Sequence, residues 1–499
     1  MRPLINNQPE TGETIPFGVT PIRDIQFDPT CRDEITKILR GLKEAYLDEQ
    51  ARDAIFTILM EMPPERTSLD KGRKGMALWT IFVLGMLRLG CNWDYDKLKS
   101  CYDNHKLIRQ MTGIDLIFEF DKVTSLQSIH DNVSLFTEVV AEKINRVMVD
   151  FGHRRLFSKG TELHTRCDSF VVLSNVHYPT DFNLLKDCVR KSISLCSSSA
   201  ESLGLPGWRE HENMKNKFRG QYNKLSKMRY SNSKKDEVKE KRKQEIHAQI
   251  DSYLNAATKY FHKASEYQRM IGVDIPELDS FLDYGKLFID QINRRIFKNE
   301  TIPPDEKVYS VFEPYTEWIC KGKAGVRQEL GVKVCVVEDQ FGFILNHRIM
   351  KKEQDKDIAF GMAKKCQQLF PGLASMSFDK GFHSKLDANG KNNRLDIQEQ
   401  LSITPYLPAK GRLNKAGRAR ESTPEFGAAR KQHPAVESAI NALESHGLDR
   451  CPDKGEENYD RYVAMAVTAS NVHRIGALLM RKELELERKR RRKSRKKNA

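Results

Sequence analysis

Apolar residues recur every three or four positions through the first 160 residues, which is the period of an amphipathic helix. One such stripe is formed by Ile35, Ile38, Leu39 and Leu42. The pattern predicts an irregular arm over 1–25, an all-helical domain over 26–118 and a connecting helix over 119–160. Turn residues between the helices of 91–113 fit a helix-turn-helix unit, and they fit plain helical packing about equally well.

Strand signals begin at residue 162, where polar and apolar residues alternate before a β-branched run. A hairpin is predicted within 330–349, with Gly342 near its turn, and shorter strands within 374–379 and 403–411. Helical periodicity lies between and after them. The order is strand, hairpin, helix, strand, short helix, strand, helix. This mixed α/β order is that of the ribonuclease H-like fold, and it predicts such a core over 161–186 and 301–480.

Positive charge is concentrated in two segments. The stretch 208–270 holds 16 Lys and Arg against eight Asp and Glu, and 481–499 holds 11 against three. The net charge of the chain is +15, so the remainder is close to neutral. Concentrated positive charge attracts a phosphate backbone. We therefore expect a basic helical insertion over 187–300, a basic disordered tail over 481–499, and double-stranded DNA as the partner, with the helical domain at 26–118 also binding it; solvated helix faces are the alternative.

Composition narrows the class of protein. Charged residues make up 30% and hydrophobic residues 39% of the 499, as in soluble proteins. Ten Cys without C-x-x-C spacing are typical of reduced thiols in a cytoplasmic protein, and the 13 His show no zinc spacing, so we expect no zinc site. The most apolar run, 75–91, contains Arg88 and is short for a membrane span, which favours a buried helix and no membrane partner.

Two carboxylates lie at matching points of the predicted sheet. Asp168 belongs to the first strand, and Asp379 ends the strand "ASMSFD". In a ribonuclease H-like sheet these strands run side by side, so the carboxylates would meet and repel each other. A divalent cation relieves that repulsion, and oxygen ligands suit Mg²⁺ or Mn²⁺. A plain turn at Asp379-Lys-Gly is the alternative.

A third carboxylate is expected from the helix in "HPAVESAINALESHGL". Its apolar stripe is formed by Val436, Ala439, Ile440 and Leu443. Glu437 lies beside this stripe in the first turn, and Glu444, about two turns on, is the alternative. Either Glu could also be an ordinary solvent-facing residue. Three carboxylates holding two metals would activate a water or a 3′-hydroxyl for phosphodiester chemistry.

Four blocks, in order, carry a family resemblance. They are "RCDSFVVLSNVHYPTDFNLL", "VFEPYTEWICKGKAGVRQELGVKV", "FDKGFHSK" and "HPAVESAINALESHGLDRCPDKG". They resemble the insertion-sequence DDE transposases, nearest to the ISNCY group, over about 28–480. The resemblance implies a ribonuclease H-like domain whose metal triad is Asp168, Asp379 and Glu437, with two Mg²⁺ ions or Mn²⁺ in their place. It also implies binding to terminal inverted repeats, strand cleavage by water and strand transfer by the freed 3′-hydroxyl. Such an enzyme acts on DNA as a homodimer or higher oligomer, in the nucleoid of a prokaryotic cell.

The sequence departs from related transposases at two points. The Tyr-Arg-Glu-Lys signature that often surrounds the glutamate is missing, and Glu444 occupies its Lys position. Three nearby residues are alternative sources of positive charge: Arg430, Lys431 and His433. The large helical insertion follows the first Asp instead of lying between the second Asp and the Glu.

Candidate DNA contacts fall in two groups. Near the triad they are Lys380, His383, Arg430 and Lys431, and in the insertion they are Lys215, Lys217, Arg219, Lys224, Lys227 and Arg229. Lys380 fits a phosphate contact and a solvent-facing side chain about equally, and a hydrogen-bonded structural role is favoured for His383. Two other functions remain open on the sequence: a nuclease of the same fold that does not join strands, and a non-catalytic DNA-binding protein derived from a transposase.

Overall fold

The computed structural model describes residues 19–63, 75–114, 124–158, 160–320, 328–388 and 390–497. Within them the chain is a mixed α/β protein, as expected, with a six-stranded sheet. It forms two compact units. One combines Met1–Asn175 with Ile319–Ala499, and the other is Val176–Trp318. Most of the expected N-terminal arm, 1–18, lies outside the described residues.

Capping side chains divide the N-terminal helical region into more and shorter helices than its apolar periodicity predicts. The helices are α1 (Glu34–Leu47), α2 (Glu49–Leu59), α3 (Leu78–Gly90), α4 (Tyr95–Asn104), α5 (Lys106–Met111), α6 (Leu126–Val133) and α7 (Glu138–Leu156). The Asp48 side chain accepts a hydrogen bond from the backbone N–H of Ala51 and begins α2. Thr137 begins α7 in the same way. The connecting helix expected over 119–160 is therefore two helices, with 115–123 outside the described residues.

The sheet is built around β1 (Leu163–Leu173). β2 (Glu317–Cys320) begins at the end of the second unit. It is followed by β3 (Gln328–Asp339), β4 (Ile344–Met350), α12 (Asp355–Leu369), β5 (Leu373–Phe378), α13 (Asn393–Leu401) and β6 (Thr404–Tyr406). The strand order is β2-β3-β1-β5-β6, and β4 pairs with β3. β1 is antiparallel to β3 and parallel to β5. The hairpin of β3 and β4 turns at Gly342, whose φ of +84° suits glycine.

The second unit is helical. It contains α8 (Asp181–Ser202), α9 (His211–Lys227), α10 (Asp236–Ile271) and α11 (Pro276–Phe297). The unit spans 176–318, wider than the expected insertion at 187–300. Several of its aromatic residues form a core of their own: Phe218, Tyr253, Phe261 and Tyr267. Four aromatic residues of the unit are exposed, Tyr178, Tyr230, Phe297 and Phe312, so a minority of its aromatic residues is accessible to a ligand.

The chain ends in four helices: α14 (Lys415–Glu421), α15 (Pro424–Gln432), α16 (Ala435–Leu443) and α17 (Glu456–Lys497). The segment 410–432 has the composition of a polar loop, but α14 and α15 lie there. We expected a disordered tail after 480, but α17 continues to Lys497. Ion pairs one turn apart support this extension, such as Arg481 with Glu485 at 3.2 Å.

Helix α17 packs against α1, α3 and α7, so the N-terminal helices and the sheet share one compact unit. The separate helical domain expected at 26–118 is therefore not found as a unit of its own. By length and composition a window of α17 could span a membrane, but 72% of that window is buried in the protein, as in a core helix. The apolar helix α3 is buried along its whole length.

The crossing of α1 and α17 depends on glycine. A Cβ added to Gly476 would lie 1.8 Å from the backbone oxygen of Lys37, and one added to Gly41 would lie 2.3 Å from the backbone oxygen of Val472. Real Cβ atoms do not approach backbone atoms this closely, so any side chain at either position must separate the two helices.

We predict that Gly476→Ala destabilises the protein by about 1–3 kcal/mol, because the added methyl group overpacks the crossing of α1 and α17. Chemical unfolding monitored by circular dichroism measures the effect. The matched control is Gly361→Ala in α12, where an added Cβ meets nothing within 4 Å. Removing glycine from a helix without a clash stabilises by roughly 0.5–1 kcal/mol. Equal unfolding midpoints for the two variants would contradict the close crossing.

An ion pair at the same crossing predicts a pH dependence. The side chain of His473 on α17 bonds to Glu34 on α1 and holds the pKa of Glu34 at about 2, below its ordinary value of 4.5. The pair therefore stabilises the folded state above pH 4.5, and this stabilisation disappears as the pH falls toward 2. Glu34 is 43% exposed, so we expect less than about 1 kcal/mol after screening.

The variant Glu34→Gln should therefore be less stable than the wild type at pH 6, and this difference should shrink as the pH falls from 4.5 to 2. Unfolding free energies measured at several pH values test this. Glu49→Gln, which replaces an exposed acid at the start of α2, is the control and should leave the pH profile unchanged. A Glu34→Gln difference that is constant with pH would rule out the ion pair.

Candidate active site

Parallel pairing of β1 with β5 brings the first two carboxylates together. Cys167 lies opposite Phe378 in the register, so the next residues, Asp168 and Asp379, stand side by side. Adjacent strands are separated by about 4.8 Å. Asp168 is half-buried within β1, whereas Asp379 follows the last residue of β5 and is exposed. The two acids therefore lie side by side near the C-terminal end of β5. Asp168 is half-buried within the sheet, and Asp379 is exposed where its strand ends.

The environment of Asp168 disfavours its charged form. Burial raises the pKa of Asp168 to about 6, from an ordinary value of 3.8. The backbone N–H of Ser169 donates to Oδ1 of Asp168 at 2.8 Å and lowers the pKa, but it does not offset burial. Three neighbouring carboxylates raise the pKa further: Asp379, Asp355 and Glu437. Acids that favour one another's protonation are a common feature of cation-binding sites.

Glu437 enters this group from α16, which packs against β1. Val436, Ile440 and Leu443 are buried in the expected stripe, and Glu437 is exposed in the first turn beside them. Its carboxylate is among those that raise the pKa of Asp168. Glu444 lies at the other end of the helix, where a π-helical turn begins. The geometry therefore favours Glu437 over Glu444 as the third acid.

A fourth carboxylate, Asp355, was not anticipated from the sequence. It is the first residue of α12, and it accepts hydrogen bonds from Ser169 Oγ at 2.6 Å and Lys333 Nζ at 3.1 Å. Its charge is thus compensated by β1 and β3, the strands on which it packs. The only available signal was its position at a helix N-terminus, which is common for acids in general. Asp355 fits a role in positioning the group better than a role as a free ligand.

Two residues of the α15 segment hold the end of β5. The Arg430 guanidinium donates to the backbone carbonyl of Phe378 at 2.7 Å, directly before Asp379. Nδ1 of His433 lies 3.0 Å from Ser377 Oγ. Burial, assisted by Arg430, lowers the pKa of His433 to about 4. His433 is therefore neutral at physiological pH, which corrects its expected role as a source of positive charge.

The other candidate contacts near the triad lie on accessible surface. Lys380 and Lys431 are exposed, and His383 is half-buried. Burial, together with Lys410 and Arg420, lowers the pKa of His383. Lys410 and Arg420 were overlooked because 410–432 had the composition of a polar loop. Lys410 lies close to the end of β5, since its Nζ is 3.5 Å from the carbonyl oxygen of Gly381.

The basic residues of the second unit lie on α9 and just after it. Lys217, Arg219, Lys224 and Lys227 are exposed, which leaves them open to a ligand. Lys215 is partly committed to Glu212 at 2.8 Å, and the Arg229 guanidinium donates to the carbonyl of Ser226 at 2.7 Å. The accessible positive charge of α9 therefore comes mainly from Lys217, Arg219, Lys224 and Lys227.

No protein-family model, curated protein or solved structure matches the chain. The functional argument therefore depends on the geometry of the site. Asp168, Asp379 and Glu437 supply neighbouring carboxylates, and carboxylate oxygens are ligands that Mg²⁺ prefers. A cation pair at such a site can act on phosphodiesters, and exposed Lys380 and Lys431 can bind their negative charge.

Proposed function

We propose that the chain is a DDE transposase, which cleaves and joins DNA strands with two Mg²⁺ ions held by Asp168, Asp379 and Glu437. One observation carries the proposal. The parallel register of β1 and β5 sets Asp168 beside Asp379, and Asp379 and Glu437 are among the carboxylates that raise the pKa of Asp168. The four sequence blocks that resemble DDE transposases contain the same three acids.

The order of elements supports a ribonuclease H-like core for this enzyme. A first strand is followed, after the second unit, by the hairpin of β3 and β4, then α12, β5, α13, β6 and later helices. β1 lies between β3 and β5, and this arrangement places its central aspartate next to the end of β5. That is the arrangement expected if the two strands carry the first two acids of a DDE triad.

The triad suits Mg²⁺ or Mn²⁺. Within the described part of the chain, neither Asp379 nor Glu437 forms an ion pair, whereas Asp355 pairs with Lys333. The repulsion that Asp379 and Glu437 exert on Asp168 is therefore not offset by a paired Lys or Arg. When bound, two such ions would activate the attacking oxygen and stabilise the leaving oxygen of an in-line displacement. The residues of the chain position the DNA. Arg430 fixes the backbone before Asp379, and Lys380 and Lys431 can contact phosphates.

Joining two element ends requires both ends to be held together, so the proposed enzyme acts as a homodimer or larger oligomer on DNA in the prokaryotic cytoplasm. The exposed cations of α9 and the basic end of α17 supply sequence-independent affinity for the duplex. The N-terminal helices are the candidates for contacts that distinguish the terminal repeats.

We predict that Asp379→Asn and Glu437→Gln each reduce DNA cleavage by on the order of 10²–10³-fold and leave DNA binding intact, because each removes a negative ligand of the metal ions that stabilise the reacting phosphate. Purified protein is incubated with labelled DNA carrying the element ends, in Mg²⁺ or EDTA, and products are resolved on gels. Joined products that require Mg²⁺ and both of these acids would support transposition.

Two control variants sharpen this assay. Glu399→Gln replaces an exposed acid on α13 and should cleave like the wild type. Glu444→Gln tests the other glutamate of the same segment and should also remain active. Loss of activity in Glu444→Gln but not in Glu437→Gln would show that Glu444, and not Glu437, is the third acid. Nicks without joined products would instead indicate a nuclease, and binding without cleavage in Mg²⁺ and Mn²⁺ a DNA-binding protein.

We predict that Lys217→Gln combined with Lys224→Gln weakens DNA binding and makes it less dependent on salt. Each phosphate contact contributes about 0.9 to the slope of log Kd against log salt, so the slope should fall by about 1–2. Fluorescence anisotropy at several salt concentrations measures it. The charge-matched control is Lys143→Gln with Lys286→Gln, which removes two cations paired with Glu61 and Asp283. Equal slopes for the two double variants would exclude α9 from the interface.

A further inference from the structure

A second group of metal-ligating side chains lies on other elements than the candidate active site. Among the described residues, Glu138, Glu142 and His347 each offer one donor atom, and these three atoms lie within 4.8 Å of one another. Glu138 and Glu142 are one turn apart on α7, so both side chains lie on the same helix face. His347 comes from β4. Helix and strand thus converge on one point.

The burial and the missing hydrogen bond of the His347 imidazole indicate a bound ligand. Its residue is 4% exposed, and its Nε2 atom finds no hydrogen-bond partner among the described residues. A buried polar atom without a partner is uncommon because it loses the hydrogen bond that water would provide. Burial lowers the pKa of His347 to about 4, so the ring is neutral at physiological pH. Neutral imidazole is the form that coordinates metals.

We propose that Glu138, Glu142 and His347 bind one divalent transition-metal ion, with Zn²⁺ as the first candidate. This departs from the expectation of no zinc site, because folding brings together donors that have no zinc spacing in the sequence. Two carboxylates and a neutral imidazole carry a charge of −2, which matches the ion. Zn²⁺ binds both kinds of donor at about 2.0–2.2 Å, so the three donor atoms would close to roughly 3.5 Å apart. Side-chain rotations of the two Glu, which are only partly buried, supply this movement. Imidazole disfavours Mg²⁺ as the occupant.

Nearby cations compete with such an ion. Lys365 of α12 donates to Glu142 Oε1 at 2.9 Å, and its side chain is 46% exposed, so it can move aside into solvent. Burial, Asp460 and Glu142 raise the pKa of Glu138, whereas Lys351 and Lys365 lower it. Lys351 itself is committed to Asp460 at 2.7 Å. Lys365 is therefore the cation that an incoming metal would have to displace.

The bound ion would join α7 to the hairpin of β3 and β4. β4 pairs only with β3 among the described strands, so its outer edge lacks a second strand to hold it. A metal that links β4 to α7 would fix this edge to the helical shell. This role is structural and does not depend on the proposed transposase activity.

The test uses the full chain carrying Asp168→Asn, Asp379→Asn and Glu437→Gln, so that metal bound at the candidate active site does not contribute. The protein is treated with EDTA, dialysed and titrated calorimetrically with Zn²⁺ alone, and in parallel with Co²⁺ while visible absorption is recorded. We expect one ion per chain, with Co²⁺ absorption bands that indicate a nitrogen and oxygen ligand set. Adding His347→Gln should weaken binding by on the order of 100-fold and abolish those bands.

Three further variants keep the test decisive. Glu142→Gln should also lose the ion, which covers the case in which His347→Gln fails to fold. Lys365→Met should bind Zn²⁺ more tightly than the parent, because the competing ammonium is gone. His262→Gln, which removes a 67%-exposed histidine of α10, should change nothing. Unchanged affinity in folded His347→Gln or Glu142→Gln, or no Zn²⁺ binding by the parent protein, would overturn the proposal.

Discussion

Strand β1 is paired along both edges, and this constraint fixes the candidate active site. β3 lies on one edge and β5 on the other, and both come from the part of the chain beyond the second unit. The backbone hydrogen bonds on the two edges prevent Asp168 from turning away from Asp379. Repulsion between the acids must then be relieved by a proton or by a cation. Burial, together with the neighbouring acids, raises the pKa of Asp168 and so favours the proton, and bound Mg²⁺ would provide the cation.

The helices around this sheet come from both ends of the chain. α1 and α17 approach so closely at Gly41 and Gly476 that their backbones are in contact, and the buried Arg88 of α3 binds Asp453 at 2.7 Å just before α17. The N-terminal helices therefore belong to the same compact unit as the carboxylates. In the proposed transposase, DNA bound by these helices would be held in fixed geometry relative to the reacting phosphate, without a flexible linker between recognition and chemistry.

Periodicity was sufficient to predict the elements that carry the site. The alternation around Asp168, the hairpin turn at Gly342 and the apolar stripe beside Glu437 are local patterns, and the structure has β1, the β3–β4 hairpin and α16 there. Features that depend on tertiary contacts were not predictable. The charge compensation of Asp355 requires Lys333, and the neutrality of His433 requires burial, neither of which has a signature in the local sequence. His347 and Glu142 are brought together by folding alone.

The hydrogen-bond and ion-pair partners of each acid distinguish candidate metal ligands from acids that position them. Asp355 has both a lysine and a hydroxyl, so adding a metal there would compete with partners already in place. Asp168 has only a backbone N–H, and Asp379 and Glu437 are exposed acids. A cation entering this group would therefore bind the three uncompensated carboxylates first. Asp355 raises the pKa of Asp168 and accepts a hydrogen bond from Ser169, the residue next to Asp168. The same reasoning sets Glu142 apart from Glu138, since only Glu142 must exchange a lysine for a metal.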